Sequence, residues 1–361
     1  RVEGAVGSFG TLSSGAVYVP MYQAQKDSDF RYILRDSGAT LVLCANREIA
    51  ARIEKLRPEL PELKHIIAFD TPEWEALLEQ GRAQPVPPAP IDDRELAFLI
   101  YTSGTTGDPK GVELTHLNLG ATASGVIEIA PLKVENHELT VSFLPWAHVF
   151  GGCVEICVLM GYGGAMAICD NTARLLEYLA EVKPTALFAV PRIWNRVYDN
   201  VNKQIDARPA PIQKLLRTGL AASAKQNKGQ ALSLPERAAL LLTTKLLVSK
   251  VKERLGGRVR FAVSGAAALA PEVGAFIDSL GIVVLEGYGL TETTAGGTGS
   301  KPNERKIGSV GKALPGMRVE LDKNVATAGP DEGEIILHGG CVMRGYHTQP
   351  EQTQRAFTPD G

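Results

Sequence analysis

Residues 101–111 read Tyr-Thr-Ser-Gly-Thr-Thr-Gly-Asp-Pro-Lys-Gly, and they lie between two predicted strands at 96–100 and 112–115. The glycines of this loop let the backbone approach a ligand and present its N–H groups. The serine and threonine hydroxyls can donate further hydrogen bonds, and Lys110 adds a positive charge. The Walker A spacing is absent, and the loop joins two strands rather than opening a helix. The stretch therefore predicts a polyphosphate site, with a plain hairpin turn as the alternative.

A second loop, residues 286–293, reads Glu-Gly-Tyr-Gly-Leu-Thr-Glu-Thr and follows the apolar run 282–285. Two glycines around an aromatic side chain suit a flat ring that lies against the backbone. Thr291 can donate to a phosphate, and Glu292 is a hard oxygen ligand for Mg²⁺. The glycines partly match a dinucleotide fingerprint, but position 292 holds Glu where the fingerprint has Gly. This loop predicts contacts to a nucleotide and its metal ion.

Two weaker patterns accompany these loops. Residues 263–269, Val-Ser-Gly-Ala-Ala-Ala-Leu, follow a predicted strand with small side chains, which leave room for a ligand or allow close packing of a helix on the strand. Residues 143–150, Phe-Leu-Pro-Trp-Ala-His-Val-Phe, place His148 in apolar surroundings, where a histidine is usually a core residue. His148 is a candidate site residue only because the sequence also contains the other three patterns.

Apolar runs of strand length alternate with helical patterns along the chain, which predicts parallel sheets covered by helices. The predicted strands include 16–20, 40–44, 65–69, 141–144, 165–168, 186–190, 259–263 and 282–285, and the predicted helices include 28–34 and 47–56. After about residue 300, short strands with glycine turns at 309–321 and 333–340 predict a small β-rich unit. The expected fold class is therefore α/β.

Composition excludes several classes of protein. The chain has 361 residues, of which 44% are hydrophobic and 22% charged, as in an ordinary globular protein. Its net charge of −2 gives no field that would indicate a nucleic-acid partner. The five cysteines lack CxxC spacing, which predicts reduced thiols in a cytoplasmic protein. Neither an N-terminal signal nor an apolar run long enough for a membrane-spanning helix is evident.

The segment 201–260 is strongly basic, with a net charge of +10 that leaves −12 for the rest of the chain. Leu240, Leu247, Val251 and Leu255 fall on one helical face, flanked by Lys245, Lys250, Lys252 and Arg254. A basic amphipathic helix of this kind can lie on an anionic membrane surface. It can equally pack its apolar side on the core with its charges solvated. The sequence leaves both interpretations open, and it does not indicate the oligomeric state.

Together these motifs resemble the adenylate-forming (AMP-binding) superfamily, which includes acyl-CoA synthetases, luciferases and the adenylation domains of peptide synthetases. Within it the chain is most similar to long-chain fatty acyl-CoA synthetases, because 143–150, the segment 190–194 and the long basic insertion follow their pattern. The resemblance extends to 308–311 and 344–346 and covers nearly the whole chain.

The resemblance implies an architecture as well. It places a first α/β subdomain at 1–133, a second at 134–298 with the basic helical insertion 201–256, and a small distorted β-barrel at 299–361. Both subdomains should have mostly parallel sheets, and the ligand should lie near the carboxyl ends of their strands.

The resemblance also implies a role for each motif residue. The expected ATP-binding residues are Thr102, Ser103, Gly104, Thr105, Thr106, Gly107, Lys110, Gly265, Ala266, Ala267, Glu286, Gly287, Tyr288, Gly289 and Thr291. The phosphate loop should hold the β- and γ-phosphates, whereas the later residues should surround the adenine and the α-phosphate. The expected catalytic residues are Lys110, His148, Thr291 and Glu292, with Glu292 as the Mg²⁺ ligand and His148 near the fatty carboxylate.

The implied reaction uses ATP, Mg²⁺ and coenzyme A. A medium- or long-chain fatty carboxylate attacks the α-phosphorus of ATP, pyrophosphate leaves, and the thiol of coenzyme A then displaces AMP from the acyl-adenylate. No side-chain nucleophile is needed, so the cysteines are expected to be structural.

The family's ribose-binding aspartate and its small C-terminal domain have no counterpart in these residues, and the chain opens without Met. We therefore expect nucleotide binding with impaired catalysis. Three alternatives remain: a fatty acyl-AMP ligase that loads a carrier protein, an amino-acid-activating domain, and a nucleotide-binding module without catalysis. The second is disfavoured because Ala147 and Val149, rather than an aspartate, flank His148.

Overall fold

The computed structural model describes residues 1–102, 109–132, 137–324 and 329–359. The helices are α1 (Val2–Ser13), α2 (Asp27–Asp36), α3 (Arg47–Leu56), α4 (Pro72–Ala83), α5 (His116–Ile129), α6 (Ile156–Tyr162), α7 (Leu175–Val182), α8 (Pro191–Asp206), α9 (Ala210–Asn227), α10 (Leu234–Thr243), α11 (Ser249–Arg254), α12 (Pro271–Ser279) and α13 (Pro350–Ala356). The strands are β1 (Leu41–Cys44), β2 (His65–Ala68), β3 (Leu96–Thr102), β4 (Lys110–Thr115), β5 (Leu139–Ser142), β6 (Ala165–Ile168), β7 (Ala186–Ala189), β8 (Phe261–Ser264), β9 (Val283–Gly289), β10 (Gly297–Gly299), β11 (Lys312–Ala313), β12 (Met317–Asp322), β13 (Glu334–Gly339) and β14 (Gly345–Tyr346).

The sheet that positions the candidate site is built from β7, β8 and β9, which pair in parallel, and continues antiparallel through β10 and β11. All four residues of β7 are buried, as expected for a strand with helices on both faces. Trp194 and Ile205 of α8 and Ile277 of α12 are fully buried in the core beside this sheet. The packed helices therefore hold the carboxyl ends of β8 and β9 in place.

The hairpin β3–β4 carries the predicted phosphate loop. Its strands pair antiparallel, with Thr102 opposite Lys110 across the loop. The late strand β14 joins the same sheet next to β4, where Tyr346 pairs with Val112. Residues more than 200 positions apart in the chain therefore meet at this hairpin.

Most predicted elements are confirmed. The pattern at 47–56 forms α3, whose N-terminus is capped by the Asn46 side chain, which accepts a hydrogen bond from the Ile49 N–H. The runs at 40–44 and 65–69 form β1 and β2, which pair in parallel. The run 16–20 is different, because only Tyr18 makes a ladder contact, a bridge to Phe98.

Helix α1 is absent from the sequence-based prediction. It contains Gly4, Gly7 and Gly10, and glycine disfavours a helix. A Cβ atom on Gly7 would lie 2.6 Å from Leu43 Cδ1, so this glycine permits close packing of α1 on β1. Tertiary packing therefore stabilises a helix that local propensity disfavours.

The α/β class is confirmed, with parallel and antiparallel ladders both present. After residue 299, β11 extends the β7–β10 sheet, and β12 pairs with β13 as a separate antiparallel ladder. The distorted β-barrel expected at 299–361 stays a prediction. The division into subdomains at 133 and 298 stays a prediction.

The basic segment folds as α9, α10 and α11, with a π-helical turn, Thr244–Val248, between the last two helices. Leu247, Val251 and Leu255, from the predicted apolar face, are buried in the main core. This face therefore packs on the protein, as the second interpretation predicted. In the part of the chain that the structure describes, no helix is both long and apolar enough to cross a membrane.

Candidate nucleotide-binding site

A cleft with a cavity volume of about 200 Å³ lies beside the carboxyl ends of β8 and β9. Seven predicted site residues line it, namely His148, Gly265, Ala266, Glu286, Gly287, Gly289 and Thr291. Val126, Ile129 and Val154 contribute an apolar wall from α5 and the π-helical turn Phe150–Glu155. The cleft thus combines a polar floor with an apolar side, as ligand sites in proteins usually do.

At the end of β8, the backbone makes an unusual turn. Ala266 has a φ of 67°, in the left-handed region that costs energy for a residue with a Cβ atom. Ser264 lines the cleft, and its buried hydroxyl has no hydrogen-bond partner among the described residues. Strain and an unpartnered polar atom at one cleft wall are typical of a site that binds a ligand.

The glycines at the end of β9 are required by close backbone contacts. A Cβ atom on Gly289 would lie 2.3 Å from the Ala295 carbonyl oxygen, and one on Gly287 would lie 3.2 Å from that of Thr298. Thr294 and Ala295 both have positive φ, at 54° and 57°. The predicted adenine loop is therefore a tight turn whose shape depends on glycine at 289.

Thr291 and Glu292 lie on the short 3₁₀ turn that follows β9. Glu292 is partly exposed, and its carbonyl oxygen accepts a hydrogen bond from the Met343 N–H at 2.8 Å. Its Oε1 accepts another from the Tyr346 hydroxyl at 2.7 Å. Burial, followed by this hydrogen bond, raises the pKa of Tyr346, which therefore remains a donor at neutral pH.

The turn that carries His148 packs tightly against the π-helical turn Phe150–Glu155. A Cβ atom on Gly151 would lie 2.7 Å from the Pro145 carbonyl oxygen. A Cβ atom on Gly152 would lie 2.3 Å from the Trp146 carbonyl oxygen. The backbone N–H of Phe150 donates to His148 Nδ1 at 3.2 Å, and burial lowers the pKa of His148. His148 is therefore a neutral imidazole whose remaining N–H, on Nε2, can donate to a ligand.

Lys110 and Thr102 close the described ends of the phosphate loop, at the edge of the hairpin rather than in the wall of the cleft. Lys110 Nζ donates to Gln352 Oε1 at 3.2 Å and lies 4.7 Å from the centre of the Tyr346 ring. The predicted phosphate-binding residues Ser103, Gly104, Thr105, Thr106 and Gly107 lie outside the described residues.

Ala267 and Tyr288 also lie outside the cleft wall. Ala267 is exposed on the turn after Ala266, and Tyr288 pairs with Thr298 within the sheet. Their predicted contacts with adenine stay a prediction.

A polar cluster beneath the hairpin was missed by sequence reasoning. Glu113 pairs with Arg344 at 2.7 Å and with His347 at 2.8 Å, and His347 Nε2 lies 3.2 Å from the Asp36 carbonyl oxygen. Burial opposes ionisation of Glu113, but its hydrogen bonds from Arg344 and His347 outweigh burial and lower its pKa. The Tyr101 hydroxyl donates to Asp36 at 2.6 Å. The cluster ties α2, the hairpin and β14 together.

The residues present fit Mg²⁺ held through one protein carboxylate. Glu292 Oε2 has no hydrogen bond among the described residues, and no three metal-ligating side chains cluster there. Magnesium commonly takes one or two carboxylates and completes its shell with substrate phosphates and water. Glu292 therefore suits an ion that arrives with a nucleotide rather than a resident metal.

Comparison with known proteins gives a consistent assignment. Residues 1–347 match the family model described as AMP-binding enzyme. The chain is 33% identical over 370 residues to the long-chain-fatty-acid–CoA ligase FadD15 of Mycobacterium bovis. The aligned region covers 99% of this chain and 60% of that protein. It is 32% identical to the human long-chain-fatty-acid–CoA ligase 6, across 100% of this chain and 54% of that ligase. The chain thus spans little more than half the length of these relatives.

A solved structure shares the fold. The N-terminal domain of FACL13 from Mycobacterium tuberculosis superimposes with a TM-score of 0.71 at 20% identity, over 99% of this chain and 79% of that domain. At this identity the likeness concerns the fold alone. The family match over 1–347, the shared fold and the cleft at the ends of β8 and β9 together show that the chain belongs to the AMP-binding enzyme family.

Proposed function

We propose that the protein activates a medium- or long-chain fatty acid with ATP, forming acyl-AMP and pyrophosphate, and that coenzyme A then takes the acyl group as a thioester. The observation that carries this proposal is the convergence at one cleft of a neutral His148, Thr291 and the two glycines Gly287 and Gly289 at the end of β9. Glu292, with its free carboxylate oxygen, follows Thr291 directly in the chain. Tyr346 contacts both Glu292 and Lys110, so it bridges the glutamate to the hairpin that carries the predicted phosphate loop.

In the first step, a carboxylate oxygen of the fatty acid forms a bond to the α-phosphorus while the bond to the pyrophosphate oxygen breaks. His148 Nε2–H donates to the carboxylate or to an α-phosphate oxygen and orients the two for attack. Lys110 and Thr102 hold the departing β- and γ-phosphates, and Thr291 donates to the α-phosphate. Glu292 would hold Mg²⁺, which neutralises phosphate charge when it is bound.

In the second step, the sulfur of coenzyme A attacks the acyl carbonyl carbon, the bond to the phosphate oxygen breaks, and AMP leaves with the electron pair. The thiol proton passes to water or to the leaving phosphate. Because this chain's side chains only bind and orient the reactants, its five free cysteines are not required for catalysis.

Two features support a fatty acid over an amino acid as the substrate. The cleft has an apolar wall from Val126, Ile129, Phe150 and Val154. Ala147 and Val149 flank His148, so no carboxylate next to it in the chain is available to bind an ammonium group. The names of the relatives above agree with this choice.

The proposal is tested by calorimetric titration of the chain with ATP, AMP and a non-hydrolysable lauroyl-adenylate analogue. We expect binding of all three, with the acyl-adenylate analogue tightest because it fills both the polar and the apolar parts of the cleft. Lys110→Ala should weaken ATP binding about tenfold and leave AMP binding unchanged, because AMP lacks the β- and γ-phosphates.

Lys203→Ala is the matched control, since Lys203 is exposed on α8 away from the cleft. Equal binding of lauroyl-adenylate and a leucyl-adenylate analogue would contradict the fatty-acid assignment. Failure to bind any adenylate would overturn the proposed function.

Transfer of the acyl group to a carrier protein, and nucleotide binding without catalysis, remain the alternatives to thioester formation with coenzyme A. Incubation with radiolabelled fatty acid and ATP separates the three outcomes. Acyl-CoA on addition of coenzyme A supports the main proposal, released acyl-AMP supports the carrier-loading alternative, and neither product supports a binding module.

The structure also offers a surface for an anionic membrane. Leu234 and Leu241 on α10 are 79% and 73% exposed, and Leu242 and Leu246 are exposed beside them. Lys245, Lys250 and Arg237 are exposed on the same α10–α11 region, within the segment of net charge +10. These are not the residues of the predicted apolar face, of which Leu247, Val251 and Leu255 are in the core and Leu240 is partly buried. We propose this exposed set as a contact for a negatively charged lipid surface.

A further inference from the structure

Tyr346 stands between the two groups proposed for the triphosphate and its metal ion, and this inference rests on the proposed function. Its hydroxyl donates to Glu292 Oε1 at 2.7 Å, and its ring lies under the Lys110 ammonium, 4.7 Å from ring centre to Nζ. A single side chain therefore contacts both residues through different parts of its surface.

The backbone on both sides of Tyr346 is fixed. The Tyr346 N–H donates to Thr353 Oγ1 of α13 at 2.9 Å, and the His347 N–H donates to the Gly111 carbonyl oxygen at 2.7 Å. Gly345 pairs with Glu113 in the sheet. The ring is thus held by the same sheet as Lys110 of β4, so the positions of these two side chains are coupled.

The same segment holds Glu292 at two points. The Met343 N–H donates to the Glu292 carbonyl oxygen at 2.8 Å, while the Tyr346 hydroxyl takes Oε1. Because Oε2 is left without a hydrogen bond in the described part of the chain, the carboxylate presents one defined oxygen to a cation. Partners that orient a metal ligand in this way contribute strongly to metal affinity.

Lys110 is held by neutral groups. Its Nζ donates to the Gln352 amide oxygen at 3.2 Å and faces the Tyr346 ring, and it forms no ion pair with an acidic side chain among the described residues. An aromatic face attracts an ammonium group without cancelling its charge. No carboxylate among the described residues therefore competes with a phosphate for Lys110.

We propose that Tyr346 is a positioning residue for nucleotide binding, with two separable contributions. Its hydroxyl aligns Glu292 for the Mg²⁺ that accompanies ATP, and its ring aligns Lys110 for the β- and γ-phosphates. Neither contribution involves a bond to the reacting atoms.

The two contributions are separated by Tyr346→Phe, which keeps the ring, and Tyr346→Leu, which removes both ring and hydroxyl. ATP binding is titrated by calorimetry over a range of Mg²⁺ concentrations and with Mg²⁺ removed, and AMP serves as a ligand that lacks the outer phosphates. For Tyr346→Phe we expect the Mg²⁺ concentration for half-maximal enhancement of ATP binding to rise about tenfold. Its Mg²⁺-free ATP binding should match that of the wild type.

Tyr346→Leu should show the same loss in Mg²⁺ dependence and, in addition, Mg²⁺-free ATP binding weakened about threefold. AMP binding should be unchanged in both variants, which shows that the adenine turn is intact. A merely structural role would weaken AMP and ATP alike and would lower the thermal midpoint in parallel.

Tyr178 on α7 provides a matched control, because it makes the same two kinds of contact. Its hydroxyl donates to Asp170, and the Arg174 guanidinium lies 5.3 Å from its ring centre. Tyr178→Phe and Tyr178→Leu should bind ATP, Mg²⁺ and AMP as the wild type does. If Tyr346→Phe shows the wild-type Mg²⁺ dependence or a tighter one while the wild type binds ATP, the positioning role is wrong and the proposed function stands. If the wild type binds no ATP, both are overturned.

Discussion

At the scale of single residues, Glu155 is the most unusual group next to the site. Its side chain is fully buried at the end of the π-helical turn Phe150–Glu155. The Ser142 hydroxyl donates to its Oε2 at 2.8 Å, and the Trp146 indole N–H donates to Ser142 at 3.0 Å. Its other oxygen has no hydrogen-bond partner in the described ranges. This chain of hydrogen bonds braces the turn that carries His148.

Burial raises the pKa of Glu155 from 4.5 to about 8 in the folded protein. A carboxyl whose folded pKa is raised binds more protons in the folded than in the unfolded state between these values, so the free energy of unfolding falls as pH rises from about 4.5 to 8. Glu155→Gln should remove this part of the pH dependence. Its free energy of unfolding, relative to that of the wild type, should therefore rise by about 3–5 kcal/mol as the pH rises between those two values. Urea unfolding at pH 5 and pH 8 measures it.

Glu253→Gln is the control for this comparison, because Glu253 is exposed on α11. Parallel pH profiles for the wild type and Glu155→Gln would contradict a protonated Glu155. Glu155→Ala should instead destabilise the protein at both pH values, because it removes the acceptor of the Ser142 hydroxyl and leaves a cavity.

At the scale of elements, α9 and α10 pack closely against each other at Gly219. A Cβ atom on Gly219 would lie 2.0 Å from Thr243 Oγ1 and 2.7 Å from the Ala239 carbonyl oxygen. The absence of a side chain at 219 therefore sets the distance between these two helices. Gly81 on α4 is the opposite case, since a Cβ atom there would have no neighbour within 4 Å.

The two glycines give a paired prediction. Gly219→Ala should lower the free energy of unfolding by about 2 kcal/mol, because the helices must separate to accept the methyl group. Gly81→Ala should raise it by about 0.5–1 kcal/mol, because alanine has the higher helix propensity and meets no obstacle. Chemical denaturation of both variants measures the difference, and equal effects of the same sign would show that α9 and α10 can move apart freely.

Elements with a strong local signal were predictable from the sequence, and those that depend on distant contacts were not. The amphipathic pattern and cap of α3 lie within a dozen residues, whereas α1 forms because Gly7 fits against Leu43. The candidate site divides in the same way. Four of its residues lie within six positions of one another and were found as one string, namely Gly287, Gly289, Thr291 and Glu292.

The role of Tyr346 was not predictable, because its partners are distant in sequence. Glu292 is 54 positions away, and the Lys110–Gln352 contact that completes the arrangement spans 242 positions. The only sequence signal was the string at 344–346, which fits the family pattern. That string does not indicate which side chains Tyr346 contacts.

At the scale of the whole molecule, charge is separated despite a net charge of only −2. The basic helices α9–α11 carry the exposed leucines of α10, while their buried face is continuous with the main core. The proposed membrane contact therefore uses a rigid part of the fold and requires no rearrangement.

Binding to vesicles tests this surface. The chain should bind vesicles that contain phosphatidylglycerol and not vesicles of phosphatidylcholine alone, and binding should fall with added salt because the attraction is screened. Lys245→Gln with Lys250→Gln should weaken binding about tenfold. Leu241→Ser with Leu242→Ser should weaken it as well, whereas Leu176→Ser on α7 should not. Binding that is insensitive to both pairs of substitutions would refute the proposed surface.

The pairing of β14 with β4 has a consequence for how the molecule forms. The Arg344–Glu113 ion pair spans 231 positions, so the outer edge of the phosphate hairpin has no partner until that much more chain has been made. At ordinary synthesis rates this takes roughly 10–50 s. During this interval β4 is an open strand edge, which can pair with another nascent chain. The contact beside the proposed triphosphate site is thus among the last to assemble, and this delay gives a chaperone time to act on the hairpin.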